Sequence, residues 1–172
     1  MTSASSHANL TVRPATPDDL PALQALRNWY IAHSFATFDE APLSLAAMQA
    51  WFSQFGAGPH RLLLAERAGR LLGYCSSQPY RPHPAFASTV ETSIYVDAEQ
   101  GRGGVGSALY GALFQALARQ PALHRAVVGI ALPNDASLRL HEKFGFRRIG
   151  VFDEYAMKGG RFISSQWMER AL

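Results

Sequence analysis

The chain has 172 residues, 48% of them hydrophobic and 17% charged, with a formal net charge of +3 and a pI near 9.3. This composition suits one compact domain with its own core; the charge suits an anionic cofactor, but the basic residues form no run of the kind that makes a nucleic-acid arm. No apolar run approaches the ~20 residues that span a bilayer, and the single cysteine, Cys75, excludes an internal disulfide.

Residues 1–9 are small and polar, without an apolar h-region, and read as a frayed tail ahead of a single domain at 10–172. Cytoplasmic location is the default expectation, with no membrane or nucleic-acid partner. Cys75 reads as a small core or pocket residue in a reducing compartment.

Residues 10–14 form a short strand candidate. Pro17, Asp18 and Asp19 open a helix carrying Leu20, Leu23, Leu26, Trp29 and Tyr30 at helical spacing, with Thr16 as N-cap. Ser44 caps a second helix with Leu45, Met48, Trp51 and Phe52 on one face. Residues 61–66 and 70–77 are apolar strands around Ala68-Gly69, a hairpin signal. Residues 78–88 hold three prolines and read as a loop before the strand Thr89–Val96. A helix follows over 104–120, with Val105, Leu109, Leu113 and Leu117 in one stripe. Residues 125–132 read as a buried strand. Pro133-Asn134-Asp135 starts a helix through Phe144, with Gly145 at its C′ position. Residues 146–151 and 162–168 are the last strands. The order predicts an α/β domain, a mixed sheet with helices on its faces. Trp29, Trp51 and Trp167 read as core or interface residues, and Tyr110 as packing.

The most informative stretch runs from Ile94 to Tyr110: a strand, then Gly101-Arg102-Gly103-Gly104-Val105-Gly106-Ser107, then an amphipathic helix. Such a turn aims unpaired N–H groups and a helix dipole at whatever docks there, so phosphate binding is the first expectation. The spacing matches G-x-G-x-x-G, but residues 121–125 bring no acidic residue for a ribose, and the turn lacks the Lys-Ser/Thr ending of a P-loop.

Together with this turn, Thr89-Val90-Glu91-Thr92-Ser93-Ile94-Tyr95-Val96 and Leu132-Pro133-Asn134-Asp135…Leu140-His141-Glu142 resemble the GNAT superfamily of N-acetyltransferases, more narrowly its phosphinothricin N-acetyltransferase group. Tyr80-Arg81-Pro82 and Lys158…Gly160-Arg161 extend the resemblance over nearly the whole chain. It implies the GNAT fold, a mixed sheet of about six to seven strands flanked by about four helices, splayed at the cofactor site. It implies acetyl-CoA as co-substrate and no metal. The backbone of Ile94, Tyr95 and Val96 would bond the pantetheine arm, and the amides of Arg102, Gly103, Gly104, Val105, Gly106 and Ser107 would hold the pyrophosphate, which suits free N–H groups at a helix start. Asn134 would contact the same arm while serving as an N-cap. Glu91 would be the catalytic base and His141 a second base candidate, at a position where many GNAT enzymes carry a tyrosine. Arg81, Pro82, Glu91, Thr92 and Ser93 would line the acceptor pocket, with Arg81 suited to an amino-acid carboxylate and Glu40 a further pocket candidate. The implied reaction is direct acetyl transfer to the α-amine of a small acceptor such as phosphinothricin or methionine sulfoximine or sulfone, the activity of a resistance enzyme, and relatives are often homodimers.

Two departures bear on that expectation. Gly101 stands where relatives commonly carry Gln or Arg, and Phe162 and Ser164 replace a tryptophan and an aspartate near the acceptor site. Other amine acceptors (a polyamine, an aminoglycoside, a protein N-terminus) and a non-catalytic acyl-CoA-binding domain are the alternatives. An acidic pocket would mark the first two.

Overall fold

The computed structural model describes residues 9–99 and 103–172. Most of the expected tail, Gly101 of the turn and the pyrophosphate candidate Arg102 lie outside the described residues.

The elements are β1 (Thr11–Pro14), α1 (Leu20–His33), α2 (Leu45–Phe52), β2 (Leu62–Arg67), β3 (Arg70–Pro79), β4 (Thr89–Val96), α3 (Val105–Leu117), β5 (Arg125–Ala131), α4 (Asp135–Lys143), β6 (Arg147–Lys158) and β7 (Arg161–Ala171). Among the described residues the strands form one sheet in the order β1-β2-β3-β4-β5-β7-β6. Neighbours run antiparallel except β4 and β5, which run parallel because α3 crosses over between them.

Period-two alternation divides the strands between two cores. Leu62, Leu64 and Tyr74 pack with Leu20, Leu23 and Met48 under α1 and α2. Leu63, Ala65, Cys75 and Val90 pack with Leu109, Leu113 and Leu117 of α3 on the opposite face. α3 starts one residue later than the spacing predicts, because Gly104 is its N-cap at φ 87°, and it ends at Leu117. Ser44 caps α2 as expected, its Oγ accepting from the Ala47 N–H at 3.2 Å.

The last hairpin departs most from expectation. β6 and β7 are longer than the predicted 146–151 and 162–168, and they meet at Gly159-Gly160, with φ of 56° and 73°. β6 is an edge strand exposed along almost all its length, and its register shifts at Arg148/Gly150 and Phe152/Ala156. Neither face is consistently buried, so no period-two pattern marks it. In the predicted loop, Gln78 and Pro79 extend β3 and Pro84–Phe86 forms a 3₁₀ turn.

One ion cluster ties β1 to its neighbours. The Arg13 guanidinium donates two 2.8 Å bonds to Asp19 and bonds of 3.0 and 3.3 Å to Glu66. The Arg13 hydrogen bond holds the Asp19 carboxyl down at about 2, below its ordinary 3.8. A depressed carboxyl stabilises the fold above its unfolded pKa and loses that contribution as pH falls through the folded value. Asp19→Asn therefore costs about 1–2 kcal/mol at neutral pH, discounted for the partly exposed guanidinium. In urea unfolding, the gap between wild type and variant closes as pH falls from about 4 toward 2.

Candidate functional site

The site is built on a fork in the sheet. β4 pairs with β5 over Thr89–Glu91 and Arg125–Val127. Beyond Glu91, β4 continues against β3 to Val96 and β5 against β7 to Ala131. The Asp97 N–H donates to the Leu72 carbonyl at 2.8 Å. Antiparallel alternation therefore turns the main-chain groups of Ser93 and Tyr95 toward β3 and those of Ile94 and Val96 into the gap. Ile94 and Val96 thus present backbone where the resemblance expects it. Tyr95 contributes its side chain instead, its hydroxyl donating to the Ala36 carbonyl at 3.4 Å. The Tyr30 hydroxyl donates to the Val96 carbonyl at 2.6 Å, leaving that oxygen one further lone pair.

At the end of β4 the first helical bond of α3 is Ala108 N–H to Gly104 O. The N–H groups of Val105, Gly106 and Ser107 precede it and have no partner within the helix. Gly103 and Gly104 sit at φ 94° and 87°, so their backbone requires glycine. Gly106 has a different role: a Cβ there would lie 3.1 Å from Leu140, so its hydrogen lets α4 pack on α3. Lys143 Nζ donates to Ser107 Oγ at 2.8 Å and brings a positive charge to the same helix start. These features fit an anionic diphosphate.

Two cavities open at the fork. One, of about 260 Å³, is lined by Glu91, Thr92, Ser93, Phe38, Tyr155 and Trp167 among others. The other, of about 350 Å³, runs past Val96 to residues 104–107. Ala36, Ile94, Asn134 and Ser137 line both, so the cavities meet there. Asn134 Oδ1 is used as the cap of α4, accepting from the Ser137 N–H at 3.1 Å, and its amide hydrogens remain as donors.

Glu91 lies at the fork. Burial pushes its carboxyl above the ordinary range, opposed by the positive charge of Arg81. It accepts no hydrogen bond among the described residues. His141 is 1% exposed, with both ring nitrogens engaged. Nδ1 lies 2.7 Å from the Ser137 carbonyl, which can only accept, so Nδ1 carries the proton. Nε2 therefore accepts from the Tyr110 hydroxyl at 2.7 Å. Burial lowers the His141 pKa and keeps the ring neutral. Tyr110, expected only to pack, holds this ring and also reaches Thr92 Oγ1 at 3.4 Å.

Three expected pocket residues lie elsewhere. Arg81 and Pro82 are exposed after β3, and the Arg81 guanidinium lies over the Tyr80 and Phe86 rings, 5.1 and 5.8 Å from their centroids. Glu40 accepts from the Gly159 N–H at 2.7 Å and borders a different cavity, beside Lys158. Cys75 is fully buried, donates to the Leu109 carbonyl, and has its thiol pKa pushed up by burial, which makes it an unreactive core residue.

Residues 9–147 match the acetyltransferase (GNAT) domain family. The chain belongs to that family. This GNAT acetyltransferase is 45% identical to the phosphinothricin N-acetyltransferase of Streptomyces coelicolor, over 96% of the chain and 98% of that protein. It is 36% identical to the L-methionine sulfoximine/L-methionine sulfone acetyltransferase of Pseudomonas aeruginosa, with 92% of each covered. A phosphinothricin acetyltransferase from Sinorhizobium meliloti, solved in complex with AcCoA, superposes with a TM-score of 0.88 at 27% identity, covering 95% of the chain and 88% of that structure.

Sequence reasoning missed several site residues of this GNAT acetyltransferase. Trp167, expected in core or interface, lines the cleft with Phe38 and Tyr155, and its ring leaves no room for a side chain at Gly129. Ser137 was visible only as a letter between Asn134 and His141. Lys143 pairs with Ser107 across 36 residues, which no local pattern encodes.

Proposed function

We propose that this acetyltransferase transfers the acetyl group of acetyl-CoA to the α-amine of a small amino-acid-like acceptor of the phosphinothricin or methionine sulfoximine/sulfone type, by direct attack in a ternary complex. The observation that carries this reading is the meeting of the two cavities at the fork, with Glu91 on one side and the glycine-started helix on the other. The activities of the Streptomyces coelicolor and Pseudomonas aeruginosa relatives favour this acceptor class, and the AcCoA complex of the Sinorhizobium meliloti relative favours the donor.

Acetyl-CoA supplies an activated acetyl thioester. For this chain, we assign the α3 amides and Lys143 to the diphosphate and the backbone of Ile94 and Val96, with the Asn134 amide, to the arm. Glu91 takes the ammonium proton of the acceptor, as its raised pKa allows. Ser137 carries the hydroxyl shared by both cavities and donates to the sulfur as negative charge builds there. Arg81 stays outside the cleft over the Tyr80 and Phe86 rings, and its part is the positive charge that tempers the Glu91 carboxyl. His141 stays neutral and braces α4 against Tyr110.

Among the described residues no helix is long and apolar enough to cross a membrane, and we keep the cytoplasmic reading. Ile149, Val151 and Met157 of β6 and Phe162 of β7 are each about half exposed or more, which supports a homodimer through this edge. Release of free CoA, followed across amino-acid analogues and polyamines, tests the function. Turnover is expected with phosphinothricin or methionine sulfoximine and not with spermidine. The reverse order of preference overturns the acceptor assignment, and acetyl-CoA binding without release for any amine overturns the catalytic one.

A further inference from the structure

The acceptor-side cleft is walled in part by Ala36, Thr37 and Phe38, in the connection between α1 and α2. This connection has no ladder or helix to hold it, so its geometry must come from tertiary bonds. Beside the Tyr95 hydroxyl on the Ala36 carbonyl and the Arg27–Asp39 ion pair at 3.6 Å, the shortest of those bonds come from the opposite end of the chain. Lys158, at the tip of the β6–β7 hairpin, is 6% exposed, and its ammonium donates to the Ser34 carbonyl at 2.7 Å and to the Thr37 carbonyl at 2.8 Å. The next residue, Gly159, donates its N–H to Glu40 Oε1 at 2.7 Å. The Arg161 guanidinium lies 4.7 Å from the centroid of the Phe35 ring.

The hairpin tip therefore grips the connection on both sides of the three cleft residues. Ser34 ends α1, so the Lys158 charge also complements that helix terminus. Two carbonyls brought together by one buried ammonium cannot drift apart without leaving it unpaired, and an unpaired buried charge is strongly disfavoured.

From this we infer that Lys158 is a positioning residue for the acceptor: it fixes the Ala36–Thr37–Phe38 wall, with Glu40 as the second point of the same clasp. The inference rests on the reading of this cleft as the acceptor site. It also gives Glu40, which the sequence placed in the pocket, an indirect role there. The start of α3, Val96 and Lys143 do not touch the clasp, and of the three wall residues only Ala36 borders the donor cavity, so the donor side depends on it less than the acceptor side does.

Lys158→Met is expected to raise the acceptor KM by about tenfold or more, while kcat and the calorimetric Kd for acetyl-CoA change less than about threefold. Lys158→Arg, which keeps the charge and two donors, restores most of the acceptor KM. Glu40→Ala, a surface change that leaves the core intact, raises the acceptor KM several-fold in the same direction. An unchanged KM in Glu40→Ala and Lys158→Met, or equal losses for acceptor and acetyl-CoA, overturns the inference. Hydrogen exchange tests the clasp without any acceptor: amides 35–39 exchange about tenfold faster in Lys158→Met or in Glu40→Ala, while those of α3 do not change. Equal exchange in wild type and both variants overturns the inference whatever the acceptor proves to be. A wild-type protein that acetylates no amine overturns the functional reading instead and leaves the clasp to the exchange result.

Discussion

Glu91→Gln lowers kcat by about 10²- to 10⁴-fold, the range for loss of a positioned general base, while acetyl-CoA affinity stays unchanged. Glutamine keeps the size of the side chain and removes the basic oxygen. Glu91 sits where β4 leaves β5 and backbone pairing ends. Its burial raises the carboxyl pKa, and Arg81 opposes the rise. A carboxylate with a raised pKa is a better proton acceptor, and it works only when deprotonated. In wild type, kcat/KM therefore falls as pH falls through an apparent pKa above the ordinary 4.5 of glutamate. In Glu91→Gln this acid limb disappears along with most of the turnover. Equal turnover in wild type and variant across pH would remove Glu91 from the chemistry.

Tyr110→Phe is expected to destabilise the fold by about 1–3 kcal/mol, the cost of a buried acceptor left without its donor, yet to leave turnover per folded molecule within about tenfold of wild type. Phenylalanine fills the same space between Phe114, His141 and Phe144, so the hydroxyl alone is removed. His141 Nε2 then loses its partner on a buried ring, while Nδ1 stays bound to the Ser137 carbonyl. Urea unfolding reads the loss. His141 also gives stability a pH dependence. Its folded pKa lies below the ordinary 6.5, so the unfolded chain binds the proton more readily. Stability contributed by the neutral ring is present above about pH 6.5 and declines as pH falls through that value. This variant separates the two candidate bases. A loss of turnover as large as that of Glu91→Gln would move the base role to His141 and its Tyr110 partner.

What the sequence revealed follows the physics of local patterning. The apolar run Leu62–Ala65 marks a strand, and the structure buries it on both faces, with α1 and α2 over Leu62 and Leu64 and α3 over Leu63 and Ala65. Asn134 before Asp135 marks a helix start by its cap chemistry, and that cap forms, whereas Gly104, read as the first residue of α3, is its N-cap. β6 escaped notice beyond residue 151 because an edge strand with shifted register has no buried face to print a period. Gly106 belongs to the same motif as Gly103 and Gly104, yet it serves packing against Leu140. Phe38 lies between α1 and α2 while Tyr155 and Trp167 lie on the last hairpin, and these two distant parts of the chain converge on one cleft. Lys158 is 121 residues from Thr37. Such pairings depend on the closed fold, and composition or spacing carries no trace of them.

The central claim is direct transfer between two substrates held at once, one in each of the cavities that meet at Ser137 and Asn134. Initial rates measured over a matrix of acetyl-CoA and methionine sulfoximine concentrations, with the product checked for acetylation of the α-nitrogen, test it most directly. Lines that intersect, with an N-acetyl product, are the predicted result. Parallel lines, which would require an acetylated enzyme between two half-reactions, or no acetylated product, would contradict it.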